Sequence, residues 1–127
     1  MAFKIERAKT KTTPYILVDE EKGYIRFEGE SYLEDIISFF KEINEWLKEY
    51  LPSDFKELTF DCEMEYFNSS TTKQIYNMLR NMDKYASGKN VIVNWIVNNA
   101  KNDMLIECGE DFQEDMETLE FNIVINN

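Results

Sequence analysis

The sequence predicts a single α/β domain with a mixed five-stranded sheet and three helices lying mainly on one face. In three segments apolar residues recur at helical spacing, and a strand-like run follows each of them. Single helices between strands favour parallel pairing with right-handed crossovers. Before the first helix, two short alternating runs flank a polar turn, which predicts a hairpin that extends the sheet.

The composition excludes several functional classes. The 127 residues are 43% apolar, and a chain of this length buries roughly two-thirds of its unfolded surface. Acidic residues outnumber basic ones 25 to 14, and a net charge of −11 disfavours nucleic acid and anionic membranes as partners. Histidine is absent, which removes the commonest general base and metal ligand. We expect no cofactor.

The expected compartment follows from the cysteines and the apolar runs. Cys62 and Cys108 each lie within an apolar pattern, which favours buried, reduced thiols. No run approaches the ~20 apolar residues that cross a bilayer, and the N-terminus lacks a signal-peptide pattern. We therefore expect a cytoplasmic protein.

The N-terminal half begins with an arm and a hairpin. Residues 1–13 are basic and threonine-rich, which predicts a loosely ordered arm with at most one strand-like piece, before a domain at 14–127. Strands are predicted at 15–18 and 24–29. Ser31 and Glu34 have capping-box spacing, so a first helix should begin there and end before Pro52.

The C-terminal half alternates strands and helices. Residues 58–66 alternate apolar with polar side chains, which predicts a strand with one buried and one solvated face. A helix should span 72–86, with Gly88 as a left-handed C-cap. Residues 91–97 are nearly all apolar, which is typical of a central strand covered on both faces or nearly so. A third helix at 104–116, despite Gly109, and a strand at 121–125 complete the sheet.

The junction between the 58–66 strand and the second helix is rich in hydroxyl groups. Asn68 is followed by Ser69, Ser70, Thr71 and Thr72. A hydroxyl oxygen there can accept from an unpaired N–H of the first helical turn, and one such cap suffices. The surplus hydroxyls would also suit a bound or covalently attached phosphate. From the residues alone, an ordinary cap and a regulated phosphorylation site both remain open.

The solvated face of the same strand carries Asp61, Glu63 and Glu65. Period-two charge is what an uncovered sheet face produces, and this interpretation is favoured over a metal site or a catalytic carboxylate pair. With isolated glycines and no histidine, neither a phosphate-binding loop nor a catalytic triad can be assembled. We predict no catalytic and no metal-binding residue. A small carboxylate- or metal-dependent enzyme is the least favoured alternative.

Four spaced motifs resemble a known family. They are Gly29-Glu30-Ser31-Tyr32, Tyr66-Phe67-Asn68-Ser69-Ser70, Gly88-Lys89-Asn90-Val91 with Val93-Asn94-Trp95, and Gly109-Glu110-Asp111-Phe112. In this order and spacing they resemble the SiaC-type bacterial regulatory phosphoproteins, which are similar in fold and logic to STAS-domain anti-sigma factor antagonists. The resemblance runs from about Pro14 to the C-terminus and implies a STAS-like domain.

The resemblance also implies a partner switch without enzymatic activity. Ser69 matches the phosphoacceptor position, where the family usually has threonine, and Asn68, Ser70 and Thr71 are possible substitutes or phosphate neighbours. A Ser/Thr protein kinase would phosphorylate Ser69, and a PP2C-type phosphatase would restore it. The unphosphorylated form would bind and activate a diguanylate cyclase or similar effector in cyclic di-GMP signalling and biofilm regulation. The alternative is a constitutive interaction domain in which Ser69 is only a cap.

The effector-binding surface is expected beside the junction. Asp61, Glu63, Glu65 and Tyr66 lie on the strand that leads to Ser69, so we predict that they contact the partner. Two departures from the family pattern bear on this. Leu33 replaces a proline at the expected helix start, which should be structurally neutral. Residues 96–101 replace a stretch richer in tyrosine and acids, so the identity of the effector stays open.

Overall fold

The computed structural model describes residues 2–126 as one six-stranded sheet with three helices. The elements are β1 (Lys4–Arg7), β2 (Tyr15–Asp19), β3 (Tyr24–Ser31), α1 (Ile36–Tyr50), β4 (Glu57–Phe67), α2 (Ser69–Lys84), β5 (Asn90–Val97), α3 (Asp103–Asp115) and β6 (Glu120–Ile125). The strands lie in sequence order. The first two pairs are antiparallel, and β3 to β6 are mutually parallel.

The predicted count of five strands is wrong, because part of the expected N-terminal arm forms β1. Ile5 pairs with Val18 across the β1–β2 ladder. Helix α1 holds this segment from the side: the Phe3 ring stacks on Trp46 with 5.5 Å between centroids, and Arg7 donates to the carbonyl of Phe39. These partners are more than thirty residues away, so the local pattern gave only a weak strand signal.

One face of the sheet is buried under the helices and the other is open. Alternate residues of the central strands are buried, while those between them are half-buried or exposed. Right-handed crossovers between successive parallel strands place all three helices on the same side. The prediction that β5 is covered on both faces, or nearly so, is therefore wrong, because Ile92 and Ile96 lie half-buried on the open face.

Two helix boundaries differ from the prediction. Ser31 does not cap α1, because parallel pairing with Phe67 extends β3 through it. The cap is Asp35, whose side chain accepts from the Ser38 N–H at 3.2 Å. Gly88 has the predicted left-handed backbone, with φ of +76°, but it lies in the turn that follows the end of α2 at Lys84.

Helix α3 packs against the sheet through a glycine. A Cβ placed on Gly109 would lie 2.5 Å from Cδ1 of Trp95, so only glycine fits this approach without a shift of the ring. The Trp95 indole N–H donates to the carbonyl of Leu105, one turn earlier in α3. The glycine that was expected to weaken α3 is therefore the residue that allows α3 to pack.

Both cysteines are free thiols. Cys62 is buried in the core, and burial, together with the nearby Asp111, raises the pKa of Cys108 to about 11. Such thiols are poor nucleophiles near neutral pH. Across residues 2–126, each helix is too short or too polar to cross a membrane.

Asp83 ties the end of α2 to the loop before β6. Its carboxylate accepts from the N–H groups of Glu117, Thr118 and Leu119 at 3.1, 2.7 and 2.9 Å. Burial acts to raise the pKa of Asp83, but the bonds from these N–H groups outweigh it and hold the pKa below its usual value. Its ionised form therefore stabilises the fold.

We expect Asp83→Asn to lower the free energy of unfolding by about 1–2 kcal/mol at pH 7, because the amide oxygen accepts only neutral bonds and the amide NH₂ cannot accept the remaining N–H. Since the folded pKa lies below the unfolded value of about 3.9, this contribution is present above that pH and is lost as pH falls through the folded pKa. Urea melts from pH 7 to 3 should show the two proteins converging. Exposed Asp111→Asn is the control, and a constant gap at all pH values would contradict the prediction.

Candidate functional site

The hydroxyl-rich junction connects β4 to α2, and Asn68 is its cap. The Asn68 side-chain oxygen accepts from the Thr71 N–H at 3.1 Å and from the Thr71 hydroxyl at 2.8 Å. Its amide nitrogen donates to the carbonyl of Leu33 at 2.8 Å, in the turn between β3 and α1. One side chain thus starts the helix and fixes the neighbouring turn.

Behind the cap lies a directed chain of hydrogen bonds. The Ser31 and Thr71 hydroxyl oxygens are 2.7 Å apart, and both residues are fully buried. Because the Thr71 hydroxyl donates to Asn68, the Ser31 hydroxyl must donate to Thr71. Protons therefore point in sequence from Ser31 to Thr71, to Asn68 and to the Leu33 carbonyl. Every donor in this chain has an acceptor.

The four hydroxyls of the junction differ sharply in accessibility. Thr71 is buried, so it is a structural residue and cannot meet a kinase as a substitute acceptor while the fold is intact. The half-buried Ser70 hydroxyl lies 3.1 Å from the Asn68 side-chain oxygen and 3.2 Å from the Leu33 carbonyl. Thr72 donates to the backbone carbonyl of Asn68. Ser69 is exposed and is the first residue of α2.

The open sheet face next to the junction is a hydrogen-bonded network. Arg26 pairs with Glu28, Asp61 and Glu63, and Tyr24 donates to Asp61 at 2.7 Å. Burial and the bond to Asp61 raise the pKa of Tyr24. The amides of Asn94 and Asn98 donate to Asp61 and Glu63, respectively, at 2.8 and 2.7 Å.

This network bears on the carboxylate alternative. The Asp61 oxygens already accept from hydroxyl and amide donors, and the Glu63 oxygens from guanidinium and amide donors, so neither side chain is oriented toward an empty site. Among residues 2–126, no group of three or more metal-ligating side chains is placed to hold an ion. Arg26 is the residue that sequence analysis missed here, and the parallel register that sets it beside Asp61 was not visible in the local pattern.

Glu65 and Tyr66 are placed by an irregularity of the β3–β4 ladder. Gly29 pairs with Met64 and Glu30 pairs with Tyr66, so Glu65 is left over and the alternation shifts by one residue. Phe67 is therefore buried, whereas Tyr66 is half-buried and faces away from the core, not inward as its place in the alternation had indicated.

Tyr32 completes the site and was not predicted to belong to it. Its ring stacks on Tyr66 with 4.8 Å between centroids, and its hydroxyl donates to Glu30 at 2.5 Å. Tyr32 directly precedes Leu33, whose carbonyl holds the Asn68 cap. An aromatic pair thus lies directly beside the turn that orients Ser69.

With this geometry in view, the comparisons with known proteins identify the family. Residues 7–126 match the model of the SiaC family of regulatory phosphoproteins. The chain belongs to the SiaC family. It is thus a regulatory phosphoprotein by family, and a member of a group that acts in bacterial signal transduction. The likeness to STAS domains stays a prediction.

Relatives and solved structures agree with this assignment. An uncharacterised protein of Pseudomonas aeruginosa strain UCBPP-PA14 is 27% identical over 107 residues, which is 84% of each chain. SiaC of P. aeruginosa, in a crystal structure with the diguanylate cyclase SiaD that it activates, is 25% identical with a TM-score of 0.82; the match covers 96% of this chain and 98% of that one. Apo-SiaC, 24% identical over 98% and 99%, with a TM-score of 0.81, supports the fold.

Proposed function

We propose that this SiaC-family chain is a non-enzymatic partner-switching regulator. A Ser/Thr protein kinase phosphorylates Ser69, and a PP2C-type phosphatase removes the phosphate. The unphosphorylated chain binds and activates a diguanylate cyclase. The proposal is supported by family membership and by the P. aeruginosa complex of SiaC with SiaD.

The observation that carries the proposal is that Asn68, and not Ser69, caps α2. Asn68 caps α2, so the Ser69 hydroxyl is not needed for that purpose and lies exposed. A serine whose only role was to cap would turn its oxygen toward the first-turn N–H groups, as the Asn68 side chain does here. This supports the regulated site over the ordinary cap, both of which the sequence left open.

A phosphate at this position would be held without refolding of the domain. The start of an α-helix presents unpaired N–H groups and the positive end of the helix dipole, both of which stabilise an anion. Phosphorylation adds about −1.5 to −2 charge at the contact point. A partner that docks over Ser69 would therefore be displaced by a local change in charge. Serine retains the hydroxyl chemistry of the threonine that is usual in the family.

We expect the chain isolated from its own cells to carry phosphate on Ser69 and to lose it in a Ser69→Ala variant. Phosphopeptide mapping by mass spectrometry measures this directly. Ser87→Ala is the matched control, since Ser87 is also exposed but lies in the turn beyond α2. The proposal would be contradicted if Ser69 carried no phosphate under any growth condition. It would also be contradicted if the Ser69→Ala chain carried as much phosphate, at other residues, as the parent chain.

The switch itself is tested with a pair of variants. We expect Ser69→Ala to co-purify with a diguanylate cyclase and to raise its activity, and Ser69→Asp to do neither, because the carboxylate places negative charge at the helix start. Cyclic di-GMP formation by the purified pair is the measurement. Equal activation by both variants would instead favour the constitutive interaction domain.

A further inference from the structure

The exposed large apolar side chains of the described residues all lie at one end of the domain. They are Tyr32, Ile37, Met104, Val124 and Ile125. Tyr32 directly follows β3, Ile37 and Met104 are the second residues of α1 and α3, and the other two end β6. In a parallel sheet crossed by helices, strand ends and helix starts share one edge. Ser69, the first residue of α2, belongs to that same edge.

The contact between α1 and α2 brings Ile37 close to Ser69. Asn44 and Gln74 exchange two hydrogen bonds across the helices, at 3.3 and 2.8 Å. Ile37 precedes Asn44 by seven residues and so lies on the same side of α1, two turns nearer its start. Ser70 precedes Gln74 by one turn. Ile37, which is 77% exposed, therefore projects beside the first turn of α2.

Tyr32 and Tyr66 border Ser69 from the sheet side. They stack on each other, and the Leu33 carbonyl next to Tyr32 accepts from both Asn68 and Ser70. We call Tyr32, Ile37 and Tyr66 the Ser69 collar. Tyrosine and other large side chains at the centre of an interface contribute most of its binding energy.

Charges around the Ser69 collar are mostly negative. The three turns at this edge, residues 32–38, 65–73 and 98–107, carry five carboxylates and two lysines. On the open sheet face, by contrast, Asp61 and Glu63 are already paired with Arg26. The unpaired negative charge thus lies around an apolar centre, and the complementary surface is an apolar face bordered by Lys and Arg.

We propose that the effector docks on the Ser69 collar through a face with an apolar centre and a basic border, and not on the acidic face of β4. The inference rests on the proposed function and names its binding surface. A phosphate on Ser69 would then lie under the apolar centre. Burial of a charge of about −1.5 to −2 is expensive, because the N–H groups at the helix start replace only part of its hydration. Phosphorylation would therefore weaken binding mainly through desolvation, even though the partner's border is basic.

The test uses the Ser69→Ala chain, which cannot be phosphorylated at this position, and the diguanylate cyclase that co-purifies with it. We expect Ile37→Ser and Tyr32→Ser each to raise the dissociation constant by about 10-fold or more, mainly through faster dissociation. Glu34→Lys should slow association by about 3-fold, because it reverses a border charge. Surface plasmon resonance resolves both rates. Ile37→Leu is the conservative control and should bind as the parent does.

Glu63→Gln is the matched variant on the open sheet face and should change affinity by less than about 2-fold. Thermal melts must show that the collar variants fold like the parent, as expected for exposed positions. Weaker binding by Glu63→Gln with unchanged binding by Ile37→Ser would overturn the collar in favour of the β4 face. If no cyclase binds Ser69→Ala at all, the proposed function fails, and the collar as its docking surface falls with it.

Discussion

Gly109→Ala is expected to lower the free energy of unfolding by about 2 kcal/mol. On an exposed helix the same change stabilises by about 1 kcal/mol, because alanine is the better helix former. Here the new Cβ would meet Cδ1 and Nε1 of Trp95 at 2.5 and 2.7 Å, so the indole must move within a packed core. Urea unfolding followed by Trp fluorescence measures the loss and reports on the ring itself.

Glu110→Ala is the control for Gly109, since it lies on the exposed side of the same helix and should change stability by less than about 0.5 kcal/mol. Trp95→Leu adds a second test. If the ring is what excludes a side chain at residue 109, the penalty of Gly109→Ala should shrink in the Trp95→Leu background. A stabilised Gly109→Ala protein would show that α3 does not approach Trp95 as closely as described.

Gly109 also illustrates how far sequence reasoning reached. The order of the strands and helices after residue 14 could be predicted from the spacing of apolar residues, because alternation and helical spacing report directly on which side of an element is buried. The role of Gly109 could not be predicted in this way, since it depends on Trp95 in β5. β1 was underestimated for the same reason: its support comes from Trp46 and Phe39, far along the chain.

Some features of the candidate site could likewise be predicted from the sequence, and others could not. The resemblance selected Ser69 among four hydroxyls, and the local pattern marked the junction as a helix start. Neither indicated that Ser31 continues a strand and donates to Thr71, because that pair forms only when β3 and β4 lie side by side. The outward turn of Tyr66 depends on one unpaired residue, Glu65, which strict alternation cannot reveal.

Asn68→Ala is expected to lower the free energy of unfolding by about 3 kcal/mol, more than the roughly 1 kcal/mol of an ordinary cap. It removes the acceptor of the Thr71 N–H and of the buried Thr71 hydroxyl, and the donor to Leu33. Asn102 is the matched control: it caps α3 with one long bond to the Leu105 N–H, at 3.3 Å. Chemical denaturation of Asn68→Ala and Asn102→Ala should therefore give clearly different losses.

Loss of the Asn68 cap should also change the hydrogen bonding of the Ser69 hydroxyl. Without Asn68, the first-turn N–H groups of α2 lack an acceptor, and a serine oxygen is the preferred replacement at a helix start. We expect Ser69 to take that position in Asn68→Ala, so that its hydroxyl becomes engaged and its phosphorylation slows by several-fold, while Asn102→Ala is phosphorylated at the normal rate. Phosphate incorporation below the melting temperature of both variants measures this. Equal rates would mean that Asn68 stabilises the fold without controlling access to Ser69.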